Sequence, residues 1–228
     1  MMEMEKVSKR FITKQVLYDC NLIIKKGKII GLVGENGAGK TTLMKMLAGL
    51  LKQSSGDIRL FSKPVNRMSS ENIAFAMDGD YYFPYFRVGE LLHYLKTQFA
   101  DFDAEKATYI LKFMEINSGE KIKYLSKGNL NRLKIAMTLS RNAPLILLDE
   151  PFSGLDPMVR KAIMKSIIRF VDLEKQTLLL STHEVAEVEP MLDEVILVKN
   201  NTIFAHETID KLREKKQTTL LDWMERLH

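Results

Sequence analysis

The chain has 228 residues, of which 46% are hydrophobic and 28% are charged, and its formal net charge is 34 − 29 = +5. These proportions are ordinary for a globular protein and argue against a disordered, collagen-like or coiled-coil chain. The single cysteine, Cys20, cannot form an intrachain disulfide, so a secreted disulfide scaffold is disfavoured and a reducing, cytosolic setting is expected. The basic charge permits nucleic acid, anionic membranes or phosphate ligands as partners and selects none of them.

No segment has the apolar length of a membrane span. The longest stretch without a charged residue runs only from Gln176 to His183, whereas a spanning helix needs about 20 largely apolar residues. Residues 1–10 alternate charges and lack the apolar core of a signal peptide. We therefore expect a chain that neither crosses a bilayer by itself nor is secreted.

Short apolar strands and amphipathic helices alternate from the start of the recognisable pattern. Residues 28–33 predict a strand, followed by a glycine-rich turn and by a helix over 41–51, where leucine and methionine recur at helical spacing. Two further β-like runs follow at 58–61 and 73–77. Helices are then predicted at 88–99, 104–114 and 125–139, so that a helical stretch of about 88–141 is inserted between strands.

The rest of the chain predicts buried strands and a hairpin. Residues 145–148 are all Leu or Ile, a run too short for a helix and typical of a strand covered on both faces of a parallel sheet. The later predicted elements are a helix at 159–171, a buried strand at 177–182, and a hairpin of 195–198 with 202–204. Strands that alternate with helices predict an α/β fold with a mainly parallel central sheet.

A glycine-rich loop lies between the first predicted strand and its helix. It fits the pattern G-x-x-x-x-G-K-[ST], and its positions are filled by Gly34, Glu35, Asn36, Gly37, Ala38, Gly39, Lys40 and Thr41. Glycines allow backbone N–H groups to converge on phosphate oxygens, and the helix N-terminus adds partial positive charge. The pattern predicts that Lys40 reaches the β- and γ-phosphates of a nucleoside triphosphate and that Thr41 ligates Mg²⁺. A turn that only caps a helix is the alternative.

Two adjacent carboxylates, Asp149 and Glu150, follow the buried run at 145–148. An acidic residue at the end of such a strand is the partner that a phosphate loop needs, because it holds Mg²⁺. Glu150 would lie on the other side of the strand end, where it could orient or deprotonate the attacking water. A solvated acidic pair in the turn before Pro151 is the alternative.

Further motifs follow one order along the chain. Leu125-Ser126-Lys127-Gly128-Asn129 precedes Asp149, Ser153-Gly154-Leu155-Asp156 follows Glu150, His183 ends the next buried strand, and Phe11 lies upstream. In this order the chain resembles the ATP-binding subunit of an ATP-binding cassette (ABC) transporter, from about residue 4 to about residue 204. The resemblance implies a P-loop NTPase fold in one domain over 1–228. It also implies an N-terminal antiparallel β subdomain, a helical subdomain at about 88–141 and a C-terminal helical tail at about 207–228.

The resemblance also implies a role for each motif residue. Phe11 would stack on the adenine, and Gly34 through Thr42 would bind the phosphates. Asp149 would bind Mg²⁺ together with Thr41. Glu150 would be the catalytic residue, and His183 would contact the γ-phosphate. For Phe11 the alternative is a core aromatic, and for His183 a structural or solvated histidine.

A second ATPase subunit is implied as well. Ser126, Gly128 and Asn129 would close over the ATP of the partner, and Asp156 would contact the partner across the same interface. The residue chemistry agrees, because Ser126 offers a hydroxyl, Gly128 offers an unhindered N–H, and the following helix start attracts anions. Two chains, identical or related, would bind two ATP molecules head to tail, and ATP would favour the closed dimer.

Two positions depart from the family pattern. Asp78 stands where the family usually has a glutamine that touches Mg²⁺ and the attacking water; an aspartate can also ligate Mg²⁺ but adds negative charge near the triphosphate. The signature reads LSKGN where LSGGQ is usual. Because Lys127 takes left-handed backbone angles less readily than glycine, we expect the loop either to avoid those angles or to be strained.

Two segments are less specific. Five aromatic residues lie within 81–86, which predicts a core cluster, a docking surface for a membrane subunit, or both. Short helices are predicted at 208–216 and 219–227, the second with a capping box of Thr219 and Asp222. We expect this tail to be solvated; contact of its lysines with anionic lipid head groups is the alternative.

The motifs together predict an ATPase that uses ATP and Mg²⁺, has no nucleic-acid partner, and lies at the inner face of the cell membrane by binding a separate permease. Export is favoured over import by similarity to short drug- or peptide-export ATPases. A soluble ABC ATPase of translation or DNA repair is disfavoured, since there is one cassette and 126 − 40 = 86 residues leave no room for a coiled-coil arm. A regulatory module that holds ATP without turnover is the other alternative, and Asp78 is the feature that favours it.

Overall fold

The computed structural model describes residues 1–77, 79, 83–216 and 219–226, and the strands of this part of the chain form two sheets. The strands are Met2–Phe11 (β1), Lys14–Ile24 (β2), Ile29–Val33 (β3), Ser55–Leu60 (β4), Lys63–Pro64 (β5), Ile73–Ala76 (β6), Leu145–Leu148 (β7), Thr177–Thr182 (β8), Glu194–Lys199 (β9) and Thr202–Thr208 (β10).

The α-helices lie mainly in the second half of the chain. They are Lys40–Leu47 (α1), Val88–Gln98 (α2), Ala104–Phe113 (α3), Lys127–Leu139 (α4), Pro157–Phe170 (α5), Val185–Val188 (α6), Ile209–Lys216 (α7) and Leu220–Arg226 (α8). Short 3₁₀ helices cover Arg67–Glu71, Ile122–Tyr124 and Glu189–Met191. Every helix in the described ranges is too short or too polar to cross a lipid bilayer.

The central sheet has the strand order β10-β9-β3-β8-β7-β6. All neighbouring strands are parallel except the edge pair of β9 and β10. The predicted α/β fold with a mainly parallel central sheet is therefore confirmed. Because parallel strands end at one edge of the sheet, the loops that follow β3, β7 and β8 lie side by side.

Both faces of the central sheet are covered. On β7, Leu145 and Leu147 pack into a core that α1 and the N-terminal strands complete, whereas Ile146 and Leu148 pack into a second core with α2 to α5. All four side chains are fully buried, as the apolar run predicts. This packing on both faces fixes the position of the strand end that carries the two carboxylates.

A second, antiparallel sheet of β2, β1, β4 and β5 lies at the N-terminal side, as the resemblance implies. β1 pairs with β2 and β4, and its register shifts between Met4 and Val7. These bulges break the two-residue alternation of buried and exposed side chains, which hides the strand from pattern analysis. Cys20 on β2 is fully buried, and burial raises the pKa of its thiol, which keeps it protonated at neutral pH.

The C-terminal helices pack onto the core, so the expectation of a solvated tail is wrong. Ile209, Leu212, Leu220 and Trp223 are each at most 2% exposed. The predicted capping box is confirmed, since the Thr219 N–H donates to Asp222 Oδ2 at 3.2 Å and the Asp222 N–H donates to Thr219 Oγ1 at 3.2 Å. The apolar stripe of these short helices, rather than their lysines, decides where they lie.

Candidate active site

The glycine-rich loop connects β3 to α1, as predicted, and its backbone leaves no room for side chains at two positions. Gly34 has φ 149°, and a Cβ there would lie 2.3 Å from the carbonyl oxygen of Val198 on the neighbouring strand. Gly39, with φ 106°, precedes the first residue of α1, and a Cβ there would lie 3.1 Å from the Val16 carbonyl oxygen. The loop is therefore held between β9 and β2, with the N-terminus of α1 at its end.

Lys40 is the first residue of α1, and its side chain folds back over the loop. Its ammonium donates to the carbonyl oxygens of Gly34 at 2.8 Å and Glu35 at 3.2 Å, and it lies 3.5 Å from Glu150 Oε1. Only 6% of the residue is exposed. A positive charge is thus fixed between the loop and the end of β7.

Asp149 lies at the end of β7 and faces the loop. The Thr41 hydroxyl donates to Asp149 Oδ1 at 3.1 Å, and the Ser181 hydroxyl donates to the same oxygen at 2.7 Å. Thr41 and Asp149 are the residues that the sequence predicts as Mg²⁺ ligands, and the structure brings their oxygens together across 108 positions of chain.

Ser181 was not expected at the site. It belongs to β8, and its hydroxyl also accepts the Glu150 N–H at 2.8 Å, so it joins both members of the acidic pair. The signal in the sequence is a polar residue directly after three leucines in a buried strand. That pattern indicates a hydroxyl that needs an internal partner, because burying it without one is costly.

Glu150 and His183 form a pair. His183 Nδ1 lies 2.9 Å from Glu150 Oε2, and Lys40 lies on the other oxygen of the same carboxylate. Glu150 has φ 47°, a left-handed conformation that costs free energy for a residue with a Cβ. The His183 ring is half exposed, so the pair opens toward solvent.

The donor set fits Mg²⁺. Thr41 and Asp149 supply a hydroxyl and a carboxylate oxygen, which are hard ligands of the kind that Mg²⁺ prefers. Among the described residues there is no group of three or more His, Cys, Asp or Glu side chains placed to share one metal ion. With nucleotides, Mg²⁺ usually completes its coordination with phosphate oxygens and water. Asp78, the third predicted ligand, lies outside the described residues.

The signature segment starts α4. The Ser126 hydroxyl accepts the Asn129 N–H at 3.2 Å and so caps the helix. Lys127 is the first helical residue and is absent from the left-handed positions of the chain, so the loop avoids the strained angles. Gly128 has no steric need to be glycine within its own chain, since a Cβ there would meet only Val159 at ordinary contact distances of 3.5 Å or more, apart from the neighbouring Ser126 Oγ at 4.0 Å.

Asp156 and Phe11 are the remaining predicted site residues among those described. Asp156 caps α5 by accepting the N–H groups of Met158 and Val159 at 3.0 Å. Phe11 lies at the end of β1, is 44% exposed, and has the Lys9 ammonium 4.8 Å from its ring centre. It belongs to neither core, so the alternative of a core aromatic is wrong.

Comparison with known proteins agrees with this arrangement. A family model described as ABC transporter matches residues 17–153. The chain is 30% identical to the uncharacterized ABC transporter ATP-binding protein YdbJ of Bacillus subtilis, over 98% of this chain and 77% of the relative. It is also 30% identical to the phosphonates import ATP-binding protein PhnC of Fusobacterium nucleatum, over 93% of this chain and 94% of the relative.

Solved structures show the same fold. The ATP-binding subunit of an ABC transporter superimposes with a TM-score of 0.88 at 22% identity, covering all of this chain and 99% of that one. A dimeric ATP-binding cassette in a post-hydrolysis state, bound to ADP and Pi, gives a TM-score of 0.80 at 22% identity, over 92% and 99% of the two chains. The chain thus belongs to the ABC transporter family, in which it is an ATP-binding and ATP-hydrolysing subunit.

Proposed function

We propose that this subunit hydrolyses ATP at the edge where β3, β7 and β8 end, and that hydrolysis drives a separate membrane permease. One observation carries the proposal: Lys40, Thr41, Asp149, Glu150 and His183 come from distant parts of the chain and meet within hydrogen-bonding or ion-pair distance. A structural turn at the same place would need none of these side chains.

In this proposal the loop from Gly34 to Thr42 holds the phosphates through its backbone N–H groups, and Lys40 neutralises the β- and γ-phosphates. Phe11 stacks on the adenine from the exposed end of β1. Thr41 and Asp149 would hold Mg²⁺, which neutralises phosphate charge when bound; Asp78 is proposed as a further ligand from the sequence alone.

Glu150 and His183 then act on the γ-phosphate. Glu150 orients a water and accepts its proton as the water oxygen attacks the γ-phosphorus, and the bond from that phosphorus to the leaving ADP oxygen breaks. His183 holds Glu150 through Nδ1, so its Nε2 is the nitrogen proposed to contact the γ-phosphate. The pair therefore links the nucleophile to the group it attacks.

A second subunit completes the site. We propose that Ser126, Gly128 and Asn129 bind the γ-phosphate of the partner's ATP and that Asp156 lies at the same interface. Support comes from Gly128: the fold of its own chain tolerates a side chain there, so a glycine serves close approach from outside. The N-terminus of α4 also adds partial positive charge, which suits an anion.

The permease is proposed to dock beside β6. An apolar cavity of about 310 Å³ opens there between β6, α2 and α4, with Phe75, Leu95 and Met137 in its lining. Arg141 fixes one wall, because its Nε donates to Asp101 at 2.6 Å and its guanidinium lies 3.9 Å from the ring centre of Phe99. We propose that apolar side chains of a permease segment enter this cavity, and that this binding holds the subunit at the inner face of the membrane.

Of the aromatic segment at 81–86, Phe86 packs against the core and stacks on Phe83 at 4.9 Å. Phe83 and Tyr85 are exposed and are available to a partner. Tyr81 and Tyr82 lie outside the described residues.

Export is the direction that we propose, by similarity to short export ATPases, an argument from analogy. The relatives include import proteins, such as the phosphonates import protein, so the direction is a property to be measured on the complex. For an exporter, ATP added outside inverted membrane vesicles that carry the complex drives the substrate into them; uptake only into right-side-out vesicles, energised from within, would contradict export.

Steady-state ATP hydrolysis tests the proposed site. Glu150→Gln keeps the shape of the side chain but removes the base, so kcat should fall by about 100-fold or more while nucleotide binding persists. Glu174→Gln, at an exposed position in the turn after α5, is the matched control and should hydrolyse ATP at the wild-type rate. Full turnover by Glu150→Gln would contradict the proposal.

A further inference from the structure

Arg160, in the first turn of α5, contacts the segment that carries His183. Its Nη1 contacts the carboxylate of Glu184 and lies 2.9 Å from Glu187 Oε1. Glu184 directly follows His183, and Glu187 belongs to α6. One guanidinium thus bridges two carboxylates that flank the beginning of α6.

The bridge is shielded from water on one side. The side chains of Arg160 and Glu184 are 17% and 22% exposed, whereas that of Glu187 is 47% exposed. Arginine suits this position, since its planar, permanently charged group can serve two acceptors at once. Without it, the carboxylates of Glu184 and Glu187 would lie near each other without this cation, and their repulsion would favour moving the segment away from α5.

The position of His183 depends on this segment. Its ring is half exposed, so packing alone does not fix it, yet its Nδ1 lies 2.9 Å from Glu150. The backbone around the ring is tied by the Glu184 N–H, which donates to Thr182 Oγ1 at 3.0 Å, and by the Glu184 carboxylate on Arg160. Thr182 belongs to β8, so its hydrogen bond attaches Glu184 to the sheet. The ion pair with Arg160 attaches Glu184 to α5, on the side away from the sheet.

The far end of the segment is held separately. Glu189 accepts the Leu220 N–H at 3.0 Å and lies 3.7 Å from Arg213 Nε. The stretch from His183 to Glu189 is therefore fixed by α5 at its beginning and by the C-terminal helices at its end. Of these two attachments, the one made by Arg160 is next to the histidine.

We propose that Arg160 is a positioning residue that holds His183 against Glu150. The proposal rests on the proposed function of His183. Arg160 lies one turn after Asp156, which caps the same helix, and the Arg160 N–H donates to the Asp156 carbonyl oxygen at 3.1 Å. The ion pair that ties the histidine segment therefore lies one helical turn from the residue proposed for the dimer interface.

The test is a kinetic comparison on the full chain. Arg160→Gln should lower kcat by about tenfold and leave the KM for ATP within about twofold, because the phosphate loop is untouched. Arg160→Lys keeps the positive charge but not the planar guanidinium. Its kcat should lie between that of the wild type and that of Arg160→Gln. Lys161→Gln, an exposed cation at the next position of α5 with no ion pair to a described residue, is the matched control and should leave kcat unchanged.

A second background separates positioning from a general structural effect. In a His183→Ala chain, Arg160→Gln should cause no further loss of kcat, since the residue through which it acts is gone. An equal fractional loss in both backgrounds, or wild-type kcat for Arg160→Gln, would overturn the proposal.

Glu184→Gln covers the case in which Arg160→Gln does not fold. It removes the charge of the partner, and we expect the same fall in kcat with an unchanged KM; full activity of this variant would also overturn the proposal. If His183→Ala itself hydrolyses ATP at the wild-type rate, the proposed function of His183 is wrong. This outcome is distinguishable from a failure of the Arg160 proposal, because Arg160 is intact in that chain.

Discussion

A single hydroxyl joins the two carboxylates at the end of β7. Ser181 donates to Asp149 and accepts from the backbone of Glu150, whose left-handed φ of 47° needs such support. The site thus depends on a serine that never has to touch ATP. Its contribution is to hold the carboxylate of one residue and the backbone of the next in a fixed relation.

Ser181→Ala removes both hydrogen bonds. We expect it to lower the free energy of unfolding by about 1–3 kcal/mol and kcat by about tenfold, since Glu150 loses its fixed backbone. Ser166→Ala is the matched control, because Ser166 is equally buried but donates only to the Ala162 carbonyl within α5. Ser166→Ala should lose about as much stability as Ser181→Ala and keep the wild-type kcat. The same kcat for both variants would contradict a role for Ser181 in the site.

The bounds of β7 and β8 are predicted correctly from the sequence. Both strands have the predicted bounds, because each contains a short apolar run, which is typical of a strand buried on both faces. The loop after β3 was also predictable, since its pattern of glycines, Lys40 and Thr41 is contiguous in the sequence. These features depend on local sequence, which pattern analysis can see.

The ends of the helices were predicted less well than the bounds of these strands. α1 ends at Leu47, four residues before the predicted end, because the chain turns at Gly49 with φ 71°. α5 begins at Pro157, two residues earlier than predicted, since Asp156 caps it. The contacts of Ser181 and Arg160 were beyond sequence reasoning, because each joins residues that only the folded sheet brings together.

The C-terminal helices are the element whose burial corrects the sequence-based expectation. Trp223→Ala should lower the free energy of unfolding by about 3–5 kcal/mol, as expected for an indole removed from a packed core. Leu221→Ala, at a neighbouring position that is 45% exposed, is the control and should change it by only about 0.5 kcal/mol. Urea denaturation measures both values, and equal effects would mean that the tail is solvated.

In the complete ATPase, we propose that two chains share each ATP. The signature segment caps its own helix with Ser126, and Gly128 has no steric requirement inside the chain. Gly128 therefore leaves room for the close approach of a ligand held by another subunit.

Asn129→Asp tests whether two chains share each ATP, and we expect it to leave the fold of its own chain intact. The change preserves shape and adds a negative charge in the first turn of α4, where the helix dipole favours it, so the melting temperature should stay the same or rise. The same charge would face the partner's γ-phosphate and oppose closure. Asn142→Asp, an exposed position after α4, is the control for charge alone.

The most direct measurement is sedimentation of the Glu150→Gln chain with MgATP, with and without Asn129→Asp. We predict that Glu150→Gln and its combination with Asn142→Asp sediment as dimers that hold two ATP molecules, whereas the combination with Asn129→Asp stays monomeric and still binds ATP. Dimers of equal stability in all three chains would contradict an ATP site shared between subunits.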